Sequence, residues 1–255
     1  MGDPHPKLHA TELTRTFGRA PRAVEALGPL DVTVAPGEFV CLVGPSGCGK
    51  STLLRIAAGL LRPSTGRLEI RTSSARPAAM IFQDYGIYDW KTVRANVRFG
   101  LDVQRAPRRA ANARADEWLT RMGLADFARA YPATLSGGMR QRVAIARALA
   151  VEPELLLMDE PFAALDAQLR MILQEELLEL TQSTRTTTLF VTHSLEEAIV
   201  LGDRVLVMSA RPGRIIAEHR PPFPRPRTGD IRSTPGFTAL RSELWDLLRK
   251  EAVPT

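Results

Sequence analysis

Short apolar runs alternate along the chain with longer segments in which apolar residues recur every three or four positions. The short runs are Glu38–Val43, Leu155–Met158, Thr187–Val191 and Arg204–Met208. Strands this apolar have both faces covered, which predicts a mainly parallel sheet crossed over by helices. Helices are predicted at Lys50–Leu61, Ala110–Met122, Gly138–Leu149, Ala167–Thr181 and Ser194–Leu201. A last amphipathic helix, Ala239–Glu251, sets Leu240, Leu244, Leu247 and Leu248 on one face. Residues 84–149 carry helical stretches without strong strand patterns and read as a lobe inserted between strands. The chain up to Gly37 reads as short strands closed by the turn Ala35-Pro36-Gly37. Another short strand follows Gly213, and the proline-rich stretch Pro221–Arg227 reads as a linker.

Composition narrows the class. A chain of 255 residues can bury one sizeable core with an inserted lobe. No apolar run approaches the roughly 18 residues that span a bilayer, so a membrane role would run through partner chains. The opening MGDPHPKLHA lacks the apolar segment of a secretory signal. A net charge of +6 raises nucleic acid as a partner. The arginines are scattered, however, with one modest cluster at Arg105, Arg108, Arg109 and Arg114. A solvated surface near anionic head groups is the favoured reading, and no nucleic acid is expected. Cys41 and Cys48 stand without a Cys/His cluster, which points to a reducing compartment with neither a disulfide framework nor a Cys/His metal site.

The chemistry begins after Val43. Gly44-Pro45-Ser46-Gly47-Cys48-Gly49-Lys50-Ser51 matches G-x-x-x-x-G-K-[ST] between a strand and a helix. Gly44, Gly47 and Gly49 let backbone N–H groups turn inward around phosphates. The helix that starts near Lys50 aims its positive end at the same anion. Lys50 is expected on the β- and γ-phosphates and Ser51 on Mg²⁺; Thr52 completes the ATP-binding candidates. A second motif is the apolar strand that ends in Asp159-Glu160. Asp159 suits Mg²⁺, and Glu160 suits the general base that polarises the attacking water.

A third motif, Leu135-Ser136-Gly137-Gly138-Met139-Arg140-Gln141-Arg142, is similar to the signature sequence of ABC transporter nucleotide-binding domains. With it the chain resembles that family over nearly its whole length. The resemblance implies an α/β P-loop NTPase fold: an N-terminal antiparallel β subdomain, a mainly parallel RecA-like sheet and a helical subdomain inserted at about 84–150. Residues 1–227 would form the ATPase domain and 228–255 a C-terminal linker and helix. It also implies further site residues. Phe17 looks like the aromatic that stacks on adenine, with Val24 beside it. Gln83 resembles the Q-loop glutamine and a Mg²⁺ ligand, Ala164-Leu165-Asp166 the D-loop, and His193 the switch histidine. Met139 stands where many members have Gln, and Ala163 where Ser is commoner. Ser136, Gly137 and Gly138 open a helix, a second anion site that a single chain does not need. The family resolves this in a head-to-tail ATP-bound homodimer, in which each ATP lies between one P-loop and the other copy's signature.

Within the family, Phe162–Arg170, Ile172–Leu177, Met208–Ile215 and Pro224–Arg227 look like the nitrate/sulfonate/taurine importer branch. That implies ATP-driven uptake of a small anion through a separate permease, served by a substrate-binding protein, with this chain peripheral on the cytoplasmic face of the inner membrane. The extra regulatory domain of sugar-importer ATPases is not expected here. An exporter ATPase, another importer class, or a soluble ABC ATPase acting on nucleic acid or ribosomes are the alternatives. One P-loop and one signature weigh against the soluble class, which usually carries two ATPase halves. Tyr85, Tyr88 and Trp90 crowd a loop just after Gln83. Tyr88 and Trp90 are expected to line the groove that receives a permease helix, while Tyr85 is equally a packing residue.

Overall fold

The computed structural model describes residues 5–72, 78–163, 165–225, 227 and 229–252. Its first strands are longer than the pattern suggests. β1 (Leu8–Phe17) and β2 (Val24–Val34) form an antiparallel hairpin that pairs Phe17 with Val24 at its loop end. β3 (Phe39–Val43), buried throughout, feeds the glycine loop, and α1 (Lys50–Ala57) follows. α1 stops before Leu61 because the chain turns at Gly59, φ 72°, where the amides of Leu60 and Leu61 both return to the Arg55 carbonyl. β4 (Thr65–Ile70) then pairs with the outer side of β1, giving a sheet of order β2-β1-β4. Its side chains are mostly exposed, so burial patterning gave no sign of it.

β5 (Ala78–Ile81) is followed by three helices, α2 (Val93–Val103), α3 (Arg108–Arg121) and α4 (Gly137–Ala150). The chain then continues through β6 (Leu155–Asp159), α5 (Ala167–Thr184), β7 (Thr187–Val191), α6 (Leu195–Leu201), β8 (Arg204–Met208), β9 (Ile215–His219) and α7 (Pro235–Ala252). The larger sheet has the order β5-β6-β7-β3-β8-β9, with β9 antiparallel and its other pairings parallel.

Period-two alternation divides the interior in two. Phe39, Cys41, Val43, Leu156 and Met158 face a core shared with α2 to α7. Val40, Leu42, Leu155 and Leu157 face a second core with α1 and the small sheet. The parallel sheet is thus the middle layer. Both cysteines are free and buried.

α7 begins at Pro235, ahead of the expected Ala239. Proline is pre-set for the first helical turn, and the Thr234 hydroxyl accepts the Phe237 N–H at 3.3 Å. Phe237 and Leu244 are fully buried, while Leu240, Leu247 and Leu248 are partly so. The segment before α7 is fastened by Arg227, whose buried guanidinium donates to the carbonyls of Ile199, Phe223 and Pro221 at 2.8, 3.1 and 3.2 Å. Burial pulls its pKa down to about 10. Among the described residues, no helix is long and apolar enough to cross a membrane.

Candidate active site

Parallel strands bring their C-terminal ends to one edge, the place where open α/β sheets hold ligands. Here β3 delivers the glycine loop, β5 leads to Gln83, β6 ends in Asp159 and Glu160, β7 leads to His193, and β8 leads to Arg211. Phe17, Val24, Ser46, Gly47, Gly49, Lys50, Ser51, Thr52, Gln83 and Glu160 line one cavity of about 490 Å³. Ala26 and Arg211 join that lining, and the sequence reading had assigned a ligand role to neither.

The cavity has an apolar end and a polar end. Phe17 and Val24, 39% and 41% exposed, are large apolar side chains left open to solvent at the hairpin tip. At the other end the Lys50 ammonium donates to the carbonyls of Gly44 and Pro45 at 2.8 and 2.9 Å. Ser51 Oγ donates to Asp159 Oδ1 at 2.9 Å. Burial raises the Asp159 pKa, and the Ser51 hydrogen bond works against that rise. Gly44, Pro45 and Cys48 are not among the lining residues. The Cys48 thiol is buried beneath the loop, with its pKa raised by that burial, so only its backbone is left for a ligand.

Glu160 adopts φ 46°, rare for a residue with a side chain, and its N–H donates to Val191 O at 3.0 Å. Its carboxylate meets His193 Nδ1 at 3.0 Å. A carboxylate and an imidazole in contact at the mouth of a phosphate-binding loop can hold and pass a proton. The His193 loop is itself pinned. The Ser194 N–H donates to Thr192 Oγ1 at 3.0 Å, Thr192 Oγ1 donates to buried Glu197 at 2.5 Å, and Gln174 of α5 donates to the same carboxylate at 3.1 Å. Burial raises the Glu197 pKa. The sequence reading missed Glu197, although Ser194-Leu-Glu-Glu197 has the spacing of a capping box.

The signature residues lie elsewhere. Ser136 caps α4 by accepting the Met139 N–H at 3.3 Å, and Gly137 and Gly138 form the first helical turn. A Cβ on Gly138 would come within 2.6 Å of Leu169 Cδ2, so a larger residue there would push that side chain aside where α4 approaches α5. None of Ser136, Gly137, Gly138 and Met139 lines the nucleotide cavity of its own chain. Asp166 caps α5, accepting the Leu169 N–H at 2.9 Å; Ala164 of the same motif lies outside the described residues.

The family model described as ABC transporter matches residues 27–163. An ATP-binding protein of Brucella abortus biovar 1 is 50% identical over 244 residues, covering 94% of this chain and 92% of the relative. The nitrate import ATP-binding protein NrtD of Synechocystis is 43% identical over 252 residues, covering 95% of each chain. The taurine import ATP-binding protein TauB of Rhizobium johnstonii is 46% identical over 236 residues, covering 89% and 90%. Among solved structures, a dimeric ATP-binding cassette in a post-hydrolysis state with bound ADP and Pi aligns at TM-score 0.77 and 30% identity, covering 84% of this chain and 98% of that one. This chain belongs to the ABC transporter family. It is an ATP-binding, ATP-hydrolysing cassette with the P-loop fold.

Proposed function

We propose that this cassette energises uptake of a small anion of the nitrate, sulfonate or taurine type through a separate permease. The observation that carries this reading is the identity of 43% and 46% to ATPases named for nitrate and taurine import, over most of both chains. On this reading the chain sits peripherally on the cytoplasmic face of the membrane, and a substrate-binding protein selects the anion outside. Residues 1–227 form the ATPase domain, with the helical subdomain at about 84–150, and 228–255 form the C-terminal linker and helix.

Adenine stacks on Phe17 beside Val24, and the triphosphate lies on residues 44–52 under the N-terminus of α1. Ser51, Asp159 and Gln83 are the residues for Mg²⁺. Their donors are hard oxygens and include one carboxylate, the set that suits a magnesium completed by phosphates and water. A magnesium held by these residues would supply positive charge to offset that of the triphosphate. Glu160 takes the proton of the attacking water, and His193 orients Glu160 and the γ-phosphate. Ser136, Gly137, Gly138 and Met139 act on the ATP of a second copy, with Asp166 at the junction. The head-to-tail homodimer then has two composite sites, and the dimeric state of the aligned cassette supports it.

Proteoliposomes holding the chain with its permease and binding protein test the proposal. ATP should drive the anion towards the side that carries the ATPase. Movement in the opposite direction, or hydrolysis stimulated by RNA rather than by the loaded binding protein, overturns it.

A further inference from the structure

The loop after β8, Ser209 to Gly213, is built onto the phosphate loop. Gly213 N–H donates to Ala26 O, and its own carbonyl accepts from Gly28 N–H, both at 3.1 Å. A Cβ at Gly213 would lie 2.0 Å from the Cys48 carbonyl, so the two loops touch backbone to backbone. Ser209 Oγ accepts the Arg214 N–H at 2.9 Å and closes the turn. Glu251, near the end of α7, accepts the Ala210 N–H at 2.9 Å. A loop held at this many points fixes where Arg211 projects.

Arg211 reaches Gly47. Its Nε and Nη2 groups donate to the Gly47 carbonyl at 3.3 and 3.2 Å, and no carboxylate pairs with it among the described residues. A guanidinium has five N–H donors, so three remain. Arg211 lines the same cavity as Ser46, Lys50 and Ser51. The same wall carries the Lys50 ammonium, of like sign, and the Glu160 carboxylate, which meets His193 rather than Arg211. A guanidinium with no ion-pair partner among the described residues, set beside a glycine loop of the phosphate-binding pattern, is complementary to a polyanion.

We propose that Arg211 is a second phosphate-binding cation of the nucleotide site, braced on Gly47 and donating its free N–H groups to the triphosphate of ATP. The inference rests on the nucleotide-site reading of residues 44–52. It adds a residue from the loop after β8 to a site otherwise made by the hairpin of β1 and β2 and the strands from β5 to β3. It also gives α7 a part, since Glu251 helps set the loop from which Arg211 projects.

Calorimetric titration with the non-hydrolysable triphosphate Mg·AMP-PNP tests it on the full chain and four variants: Lys50→Ala, Arg211→Ala, Arg211→Gln and Arg211→Lys. Arg211→Ala should weaken binding about tenfold, the scale of one charge-assisted contact. Arg211→Gln can still donate to the Gly47 carbonyl but carries no charge, and it should be equally weak. Arg211→Lys should recover most of the affinity, and thermal melting should match the wild type throughout. Wild-type affinity in Arg211→Ala overturns the proposal, whatever that variant does to dimerisation. Full recovery by Arg211→Gln also overturns it, because the side chain would then merely prop the loop. If the unmodified chain fails to bind, or Lys50→Ala binds normally, the nucleotide-site reading itself falls and this inference with it.

Discussion

Glu160 and His193 are 33 residues apart in sequence and 3.0 Å apart in space, and each follows an apolar strand. A strand followed by a polar residue can be read locally, which is why the glycine loop, Asp159, Glu160 and His193 were all legible. Arg211 was not, because its partner Gly47 is 164 residues away and no local pattern links the two. The general-base assignment makes a sharp prediction. Glu160→Gln should keep Mg·ATP binding yet lose hydrolysis by about 10²–10⁴-fold, measured as phosphate release under saturating ATP. Wild-type turnover would remove Glu160 from that role. Lys50→Ala should instead weaken binding itself. Asp159 adds a pH dependence. Its carboxyl pKa is raised by burial, so protonation favours the folded chain, and the resulting stability fades as pH rises through the raised value. Mg²⁺ selects the ionised form. The gain in melting temperature given by Mg·ATP should therefore shrink on acidification, starting above the range of an ordinary aspartate.

At the scale of elements, strands buried on both faces were read almost to the residue, because continuous apolar runs leave little choice. β4 was missed because four of its six residues are exposed, only Leu68 and Ile70 touch the core, and the strand is defined by pairing with β1. The proline-rich stretch reads as a linker from its sequence, yet its last arginine is a structural clamp. Arg227 satisfies carbonyls at the end of α6 and within the linker itself, so α7 is delivered to one place on α6 and β8. Arg227→Ala would orphan several buried carbonyls and should destabilise the fold by about 2–4 kcal/mol, read as a lower urea midpoint. Arg227→Lys should not restore it, since a point ammonium cannot serve carbonyls on several sides at once. A midpoint unchanged in Arg227→Ala would show that water replaces the clamp.

For the whole molecule, the proposed transport role requires the helical lobe to respond to nucleotide and report to a permease, and the loop after Gln83 is built in a way that suits both. It is fixed from within. Fully buried Asn96 accepts the Tyr88 N–H at 2.7 Å and donates to the carbonyls of Tyr88 and Lys91 at 3.0 and 3.1 Å. It is also tied to the helix of the signature motif, because Arg147 of α4 donates to the carbonyls of Gly86 and Tyr85 at 2.7 and 3.1 Å. Tyr85 packs against the core, whereas Tyr88 meets Phe99 edge-on and Trp90 at a tilt, with ring centroids 4.7 and 5.2 Å away. Trp90 is 74% exposed. A large aromatic on a rigidly held loop has little fold stability to supply from there and suits a partner surface. We therefore expect Trp90→Ala to melt like the wild type and to hydrolyse ATP normally as an isolated chain. The same variant should fail to co-purify with the permease and should lose uptake in proteoliposomes. Normal uptake would make Trp90 an idle surface residue, and a fall in melting temperature would return it to the fold. Either result would move the permease contact away from this loop.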